Sequence, residues 1–326
     1  MPRTDLFAHT LRSLGLVLTL MLAALGAQAQ SYPNKPVRFV VPFSAGSATD
    51  NVGRIVAQAM GEAWGQPITI ENKAGANGIL GAEAVKVAPA DGYTFLVTTS
   101  TTQAANVHLY RKLSYDPIKD FTPIGKIGET GFILMVAQDF PAKDMKEFIA
   151  YARSHPGKLA YGHGSSGSLV SAAMLTELAH LQTVSVPYKS IPPALTDLLG
   201  GQIQFAFADV GNAVSQMNGG RLRGLGVTTR QRAGKAPGVP AISETVKDYN
   251  VNAWFGLMAP ANLPLDIQRK ATATLLAVLA KPEVREKIQA AGIDLDVEDA
   301  ATLAKTIEAE VKKWGLWVKT AGIVPE

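Results

Sequence analysis

Apolar residues along this chain fall into short alternating blocks of two periods. Residues 37–43, Val-Arg-Phe-Val-Val-Pro-Phe, are a run of strand length, and Val52, Ile55, Val56, Ala59, Met60 and Ala63 then recur at helical spacing. A loop of small residues, 44–49, joins them and closes on Asp50. The unit repeats, with a strand predicted over 67–71, a helix over 78–87 and a strand over 93–98 after the Asp91-Gly92 turn. A second set begins near Gly131: strands over 132–137, 158–161, 183–187, 203–208 and 223–228, and helices over 145–154, 169–180 and 193–199. Residues 265–281, 282–291 and 298–320 read as helices. Ile307, Val311, Trp314 and Val318 make one apolar stripe on the last of them, expected to be core and to pack back on one of the two sheets.

Strands alternating with helices predict mostly parallel sheets covered on both faces. The expected fold class is therefore α/β, with two doubly wound domains. At 326 residues the chain exceeds the usual size of a single core. The expected division is a first domain from residues 30–128 and 230–326, and a second from 129–229. The chain then crosses between domains more than once, as in hinged binding proteins.

Composition narrows the class. Apolar residues make up 47% and charged residues 18%, ample for burial and unlike a disordered chain. Arg3 and Arg12, an uncharged apolar run over 14–26 and then Ala27-Gln28-Ala29 read as a signal peptide cut after Ala29, since the run is too short to span a bilayer. The mature protein is expected in the periplasm. Without cysteine there is no lipid attachment, disulfide or thiolate metal site. The net charge of +4 is small for the length, and no run of like charges marks a nucleic-acid or membrane-surface partner. It suits an anionic ligand.

Two loops carry candidate chemistry. The first, Phe43, Ser44, Ala45, Gly46, Ser47, Ala48, Thr49 and Asp50, runs from a strand end into a helix start, where orphan amides and the helix dipole favour an anion. Asp50 is expected either to cap that helix or to meet the ligand. The second, from Gly162 through His163, Gly164, Ser165, Ser166, Gly167 and Ser168, matches G-x-G-x-x-G, but no acidic residue ends the strand that follows, so a dinucleotide cofactor is not expected. Serine hydroxyls and amides there suit a carboxylate instead. Ser100, Thr101 and Gln103 follow a strand end, and Asp209 follows another, each placed either to line a cleft or to make local turn and cap bonds. Arg38 and Lys189 are candidate ligand cations. Ser166 and Ser168 near His163 raise a hydrolase alternative, but there is no G-x-S-x-G elbow and no metal-ligand spacing among His108, His155, His163 and His180. No catalytic residue, metal or cofactor is expected.

Many ordered segments resemble the substrate-binding proteins of tripartite tricarboxylate transporters, the TctC or Bug family. They include Val40-Val41-Pro42-Phe43, Glu71-Asn72-Lys73-x-Gly75-Ala76, Asp91-Gly92-Tyr93-Thr94, Tyr115-Asp116-Pro117, Val186-Pro187-Tyr188-Lys189 and Trp254-x-Gly256-Leu257-x-Ala259-Pro260. The resemblance implies a periplasmic binding protein-like fold, two domains joined by a hinge as a Venus flytrap, that captures a small organic carboxylate and passes it to membrane permease subunits; a monomer is the default expectation for such a shuttle. It also implies that the family's binding loops fall on residues 43–50, 100–103 and 163–168, with Asp209 contributing. Ala45, Ser47, His163, Ser171 and Ser190 depart from the family's usual residues. The departures suggest a pocket reshaped away from citrate-like acids, with Ser171 leaving room for an aromatic carboxylate or dicarboxylate. A periplasmic sensor for a membrane kinase would use the same closure, and a serine esterase is the remaining alternative.

Overall fold

In the computed structural model, which describes residues 32–326, the first apolar run forms β1 (Val37–Val41), buried on both faces and ended by Pro42, which has no amide to continue the ladder. The predicted signal segment lies outside the described residues, and Lys35–Glu326 form one compact unit. After β1 come α1 (Ala48–Trp64), β2 (Ile68–Asn72), a short turn at Ala76–Gly78, α2 (Ile79–Lys86), β3 (Thr94–Thr99), a wide helical turn at Thr101–Ala105, α3 (Asn106–Leu109) and β4 (Phe121–Thr130).

The second lobe holds β5 (Phe132–Ala137), α4 (Met145–Ser154), β6 (Leu159–His163), α5 (Ser166–Leu178), β7 (Thr183–Pro187), α6 (Ile191–Leu199), β8 (Phe205–Asp209), α7 (Val210–Asn218) and β9 (Leu222–Val227). The chain returns through β10 (Ala253–Pro260), α8 (Leu265–Ala280), α9 (Pro282–Ala290), β11 (Asp294–Asp299) and α10 (Ala300–Thr320).

The strand orders are β11-β4-β10-β3-β1-β2 in one sheet and β7-β6-β8-β5-β9 in the other. These sheets are mixed, where mostly parallel ones are expected from the alternation. β2, β1 and β3 are mutually parallel, whereas β10 pairs antiparallel with both β3 and β4, and β5 antiparallel with β8 and β9. The antiparallel strands are the ones that carry the chain between lobes. β4 leads into β5 with only Gly131 between, so their directions are set by the crossing and not by a covering helix.

Three segments escape a periodicity reading for physical reasons. β4 contains Pro123, Gly125, Lys126 and Gly128, which look like breakers. Its glycines are required by close approach, since a Cβ on Gly128 would lie 2.4 Å from the Asp294 carbonyl oxygen of β11. Four of the six residues of β11 are acidic, the composition of a charged edge strand. α10 does not pack on a single sheet as expected. Leu303 and Ile307 sit in a cluster with Val40, Leu96 and Trp254 of the first lobe, while Trp314 and Val318 join Phe132, Phe205 and Phe207 of the second. The residues between β9 and β10 pack on the second lobe: Ala233, Val239 and Ala241 cover β5 and β8, and Ile242 and Tyr249 enter the core with Phe148.

At the crossings, the Thr228 hydroxyl accepts from the Phe132 amide at 2.8 Å and donates to the Val251 carbonyl at 2.6 Å, tying both connecting strands together.

Candidate ligand-binding site

A cavity of about 30 Å³ lies between the lobes. Phe43, Ser47, Ala48, Thr49, Thr99 and Thr101 form its wall from the first lobe, together with Ala253 and Phe255 of β10. Phe132, Gly164, Ser165, Ser190, Ile191 and Asp209 face them from the second. By the usual requirement of about 10–15 Å³ per ordered water, the space holds roughly two oxygen-sized atoms.

Four helices begin at this cavity: α1 at Ala48, α5 at Ser166, α6 at Ile191 and α7 at Val210. Each brings the positive end of its dipole and its orphan amides. Counting donors separates the amides already used from those left. In α1 the Ser47 hydroxyl accepts from the Asp50 amide at 3.2 Å, while the Ala48 and Thr49 amides find no acceptor among the described residues. In α5 a reciprocal cap forms: Ser165 Oγ accepts from the Ser168 amide, and Ser168 Oγ accepts from the Gly164 and Ser165 amides at 3.1 Å each. The Gly164 and Ser165 amides are therefore spent inside the loop. In α6, Pro192 and Pro193 remove two donors, which leaves the Ile191 amide and the Ser190 hydroxyl. Ser190 Oγ is fully buried without a partner.

No lysine or arginine lines the cavity. Its one ionisable group is Asp209, the residue before α7, whose side chain makes no capping bond and is met by its own backbone amide and, at 3.4 Å, by Asn212 Nδ2. Burial pushes this carboxyl up to about 6, more than the backbone and Asn212 bonds pull it down. The arrangement favours an anion through dipoles, amides and hydroxyls, against a single half-buried acid.

Asp50 has a different task from either expected one. Its carboxylate accepts from the Gly46 amide at 3.0 Å, Arg54 Nε at 2.9 Å and Asn72 Nδ2 at 2.9 Å, behind the loop and away from the cavity. Burial raises its pKa, and the bonds from Arg54, Gly46 and Asn72 outweigh that to hold it below the ordinary aspartate value. Asp50 shapes the loop, and the helix cap is Ser47. Ser44 is half-buried, and Ala45 and Gly46 are exposed at the loop's outer side.

Gln103 turns into the first lobe, accepting from Thr98 Oγ1 at 3.0 Å and donating to the Pro117 carbonyl at 2.9 Å, and Ser100 is buried beside it. Ser166 lies at the lobe interface, where Asn77 Nδ2 donates to its hydroxyl at 2.7 Å and it donates to Asn106 Oδ1 at 3.2 Å. Gly167 is pressed against Phe132, whose ring a Cβ would meet at 2.1 Å. His163 lines a separate cavity and makes no hydrogen bond to Ser166 or Ser168, so no nucleophile and base pair is assembled here. Arg38 pairs with Glu71 at 2.9 Å, and Lys189 is exposed. Ser171 is buried within α5 and does not line the cavity.

The cavity residues missed by sequence reasoning are Phe132, Ile191, Ala253 and Phe255. Ser190-Ile191-Pro192-Pro193 carried a readable signal, a capping serine followed by prolines at the first turn.

The description "Tripartite tricarboxylate transporter family receptor" matches residues 52–323. The chain belongs to this family. A protein of Agrobacterium vitis, described as "UPF0065 protein in the TAR-I ttuE-ttuC' intergenic region", is 33% identical over 95% of this chain and 92% of its own length. BugT of Bordetella pertussis is 28% identical, with 95% of this chain and 96% of the relative covered. Among solved structures, the R. palustris protein Rpa4515 with adipate superposes with a TM-score of 0.88 at 31% identity, over 91% of this chain and all of that one. MatC from Rhodopseudomonas palustris with bound malate gives 0.82 at 33%, over 88% of this chain and all of the other. A structure of the periplasmic binding protein BugD gives 0.86 at 30%, over 90% of this chain and all of that one.

Proposed function

We propose that this receptor is exported to the periplasm, captures a small organic carboxylate between its lobes as a monomer, and delivers it to the permease subunits of a tripartite tricarboxylate-type transporter. The single observation that carries the reading is the convergence of four helix starts on one cavity that has no basic side chain, with the Ala48, Thr49 and Ile191 amides and Ser190 Oγ unspent. Donors fixed in this way suit a planar carboxylate, whose two oxygens accept several bonds at once. Similar proteins solved with adipate and malate support the same class of ligand. Within that class, Ser171 gives no ground for preferring an aromatic carboxylate or dicarboxylate over citrate-like acids, because it lies off the cavity.

Capture involves the lobes parting and closing, since residues of both lobes wall the cavity. The expected division puts residues 230–326 with the first domain; because Ala233, Val239, Ile242 and Tyr249 pack on the second lobe, the division proposed here runs the second domain from the crossing at Gly131 to the one at Val251, and these two crossings are the hinges. No catalytic role is assigned.

The test is thermal unfolding of residues 30–326 against a panel of aliphatic, citrate-like, amino-acid and aromatic carboxylates. A ligand at about 100 times its Kd stabilises the folded state by about 2.7 kcal/mol, a shift of several degrees. Stabilisation confined to one carboxylate class supports the reading; no shift with any carboxylate at millimolar concentration sinks it.

A further inference from the structure

The cavity at the four helix starts accommodates a carboxylate group but little more, because ligand pockets usually run to about 300–1,000 Å³. A second cavity, of about 320 Å³, borders it. Gly164 lines both, and there its backbone packs directly against that of Ser190, so the two cavities are neighbours across this pair of backbone segments. Leu109, Tyr110, Leu169, Tyr188 and Ile323 give this second chamber apolar and aromatic walls.

Its polar groups are the His163 ring, Lys189, Glu326, Asn77 and the hydroxyls of Tyr110 and Tyr188, the last already donating to Asp197 at 2.7 Å. The His163 ring is half-buried and takes no hydrogen bond from or to the protein among the described residues; burial pushes it down to about 4, so it is neutral at ordinary pH. Lys189 and Glu326, both on the wall, carry opposite charges. Asn77 stands at the boundary, lining the chamber while its amide reaches Ser166 and Asn106 at 2.7 and 2.9 Å.

Building on the carboxylate reading above, we propose that the second chamber is a specificity site for the body of the ligand: the carboxylate sits at the helix starts, and an aromatic ring passes Gly164 into the chamber, its far hydrogen-bonding group meeting His163. The Asn77 amide yields its bond to Ser166 when such a ligand enters. The favoured class is an aryl carboxylate with a neutral polar group opposite the acid. A short aliphatic acid has little body to place in the chamber and gains little from it.

Calorimetric titration of residues 30–326 with propionate, benzoate, 4-hydroxybenzoate and terephthalate tests this, with the variants Leu169→Trp, which fills the chamber, and His163→Phe. The expected order has 4-hydroxybenzoate binding at least tenfold tighter than propionate. Leu169→Trp then costs the aryl acids at least tenfold and leaves propionate within twofold. His163→Phe removes the advantage of 4-hydroxybenzoate over benzoate and provides an independent readout should Leu169→Trp fail to fold. Aryl acids no tighter than propionate, a Leu169→Trp protein that melts normally and binds aryl acids within twofold of the parent, or terephthalate as the tightest ligand would each overturn the proposal while leaving carboxylate capture standing. Absence of binding by all four acids would remove the carboxylate reading itself, and this proposal with it.

Discussion

Replacing Asp209 by asparagine tests the electrostatic account of the cavity. The side chain keeps its shape and hydrogen-bonding capacity but loses the ability to ionise at a position where burial raises the carboxyl from an ordinary 3.8 to about 6. That displacement corresponds to about 3 kcal/mol of ionisation cost, at about 1.4 kcal/mol per decade, and partial exposure makes this a ceiling. The sign follows from proton counting. Between about pH 4 and 6 the folded protein holds a proton at Asp209 that the unfolded chain has released, so stability falls as pH rises through this window and the full cost stands above it.

Asp209→Asn should therefore be more stable than the parent at pH 7.5, by about 1–3 kcal/mol, and equal to it near pH 3.5. Urea unfolding followed by circular dichroism at several pH values measures this directly. The same change removes a negative charge beside the proposed carboxylate. At a separation of roughly 6 Å and an effective dielectric of about 20, that repulsion is about 3 kcal/mol before screening. Carboxylate affinity at pH 7.5 should rise at least tenfold, and its improvement on lowering pH toward 5.5 should flatten. A variant that binds more weakly, with unchanged pH dependence, would refute the reasoning and make Asp209 an acceptor for a ligand hydroxyl or amine.

Other substitutions separate ligand contacts from scaffold. Ser190→Ala removes a buried hydroxyl that has no partner, so stability should hold or rise by up to about 1 kcal/mol while carboxylate affinity in calorimetry drops about tenfold or more, as for loss of a bond to a charged group. A Cβ on Gly164 would lie 2.1 Å from the Ser190 carbonyl carbon, so Gly164→Ala should both lower the melting temperature, at a cost of about 1–3 kcal/mol, and reduce binding at least tenfold in titration. Lys126, buried on β4, holds Glu129, Asp296 and Glu298 at 2.7, 2.5 and 3.3 Å. Lys126→Met leaves those carboxylates facing one another and should cost about 2–3 kcal/mol in urea unfolding at pH 7, less than a wholly buried pair because Asp296 is exposed, with no change in ligand affinity.

The loop at residues 43–50 and the serine loop after β6 were legible because a strand end, small residues and a helix start are local features. Which of their groups remain free was not, because that depends on bonds within each loop. Ser168 Oγ consumes the Gly164 and Ser165 amides, and Asp50 is claimed by Arg54 and Asn72 from outside the loop. Phe132, Ala253 and Phe255 reach the cavity only because β5 and β10 carry the chain across the lobes, a tertiary fact with no periodic signature. The strands β4 and β11 were hidden by glycines and acidic residues, whose presence is explained by their pairing with one another. His163 lies on the wall of the neighbouring chamber and not of the cavity at the helix starts, a placement that its position in the serine loop does not fix.

The central claim is that helix starts, and not basic side chains, hold the ligand. The most direct measurement is a crystal structure of residues 30–326 with whichever carboxylate gives the largest thermal shift. The account predicts carboxylate oxygens within hydrogen-bonding distance of the Ala48, Thr49 and Ile191 amides and of Ser190 Oγ. A carboxylate paired with an arginine or lysine elsewhere on the surface, with the cavity between the lobes unchanged, would contradict it.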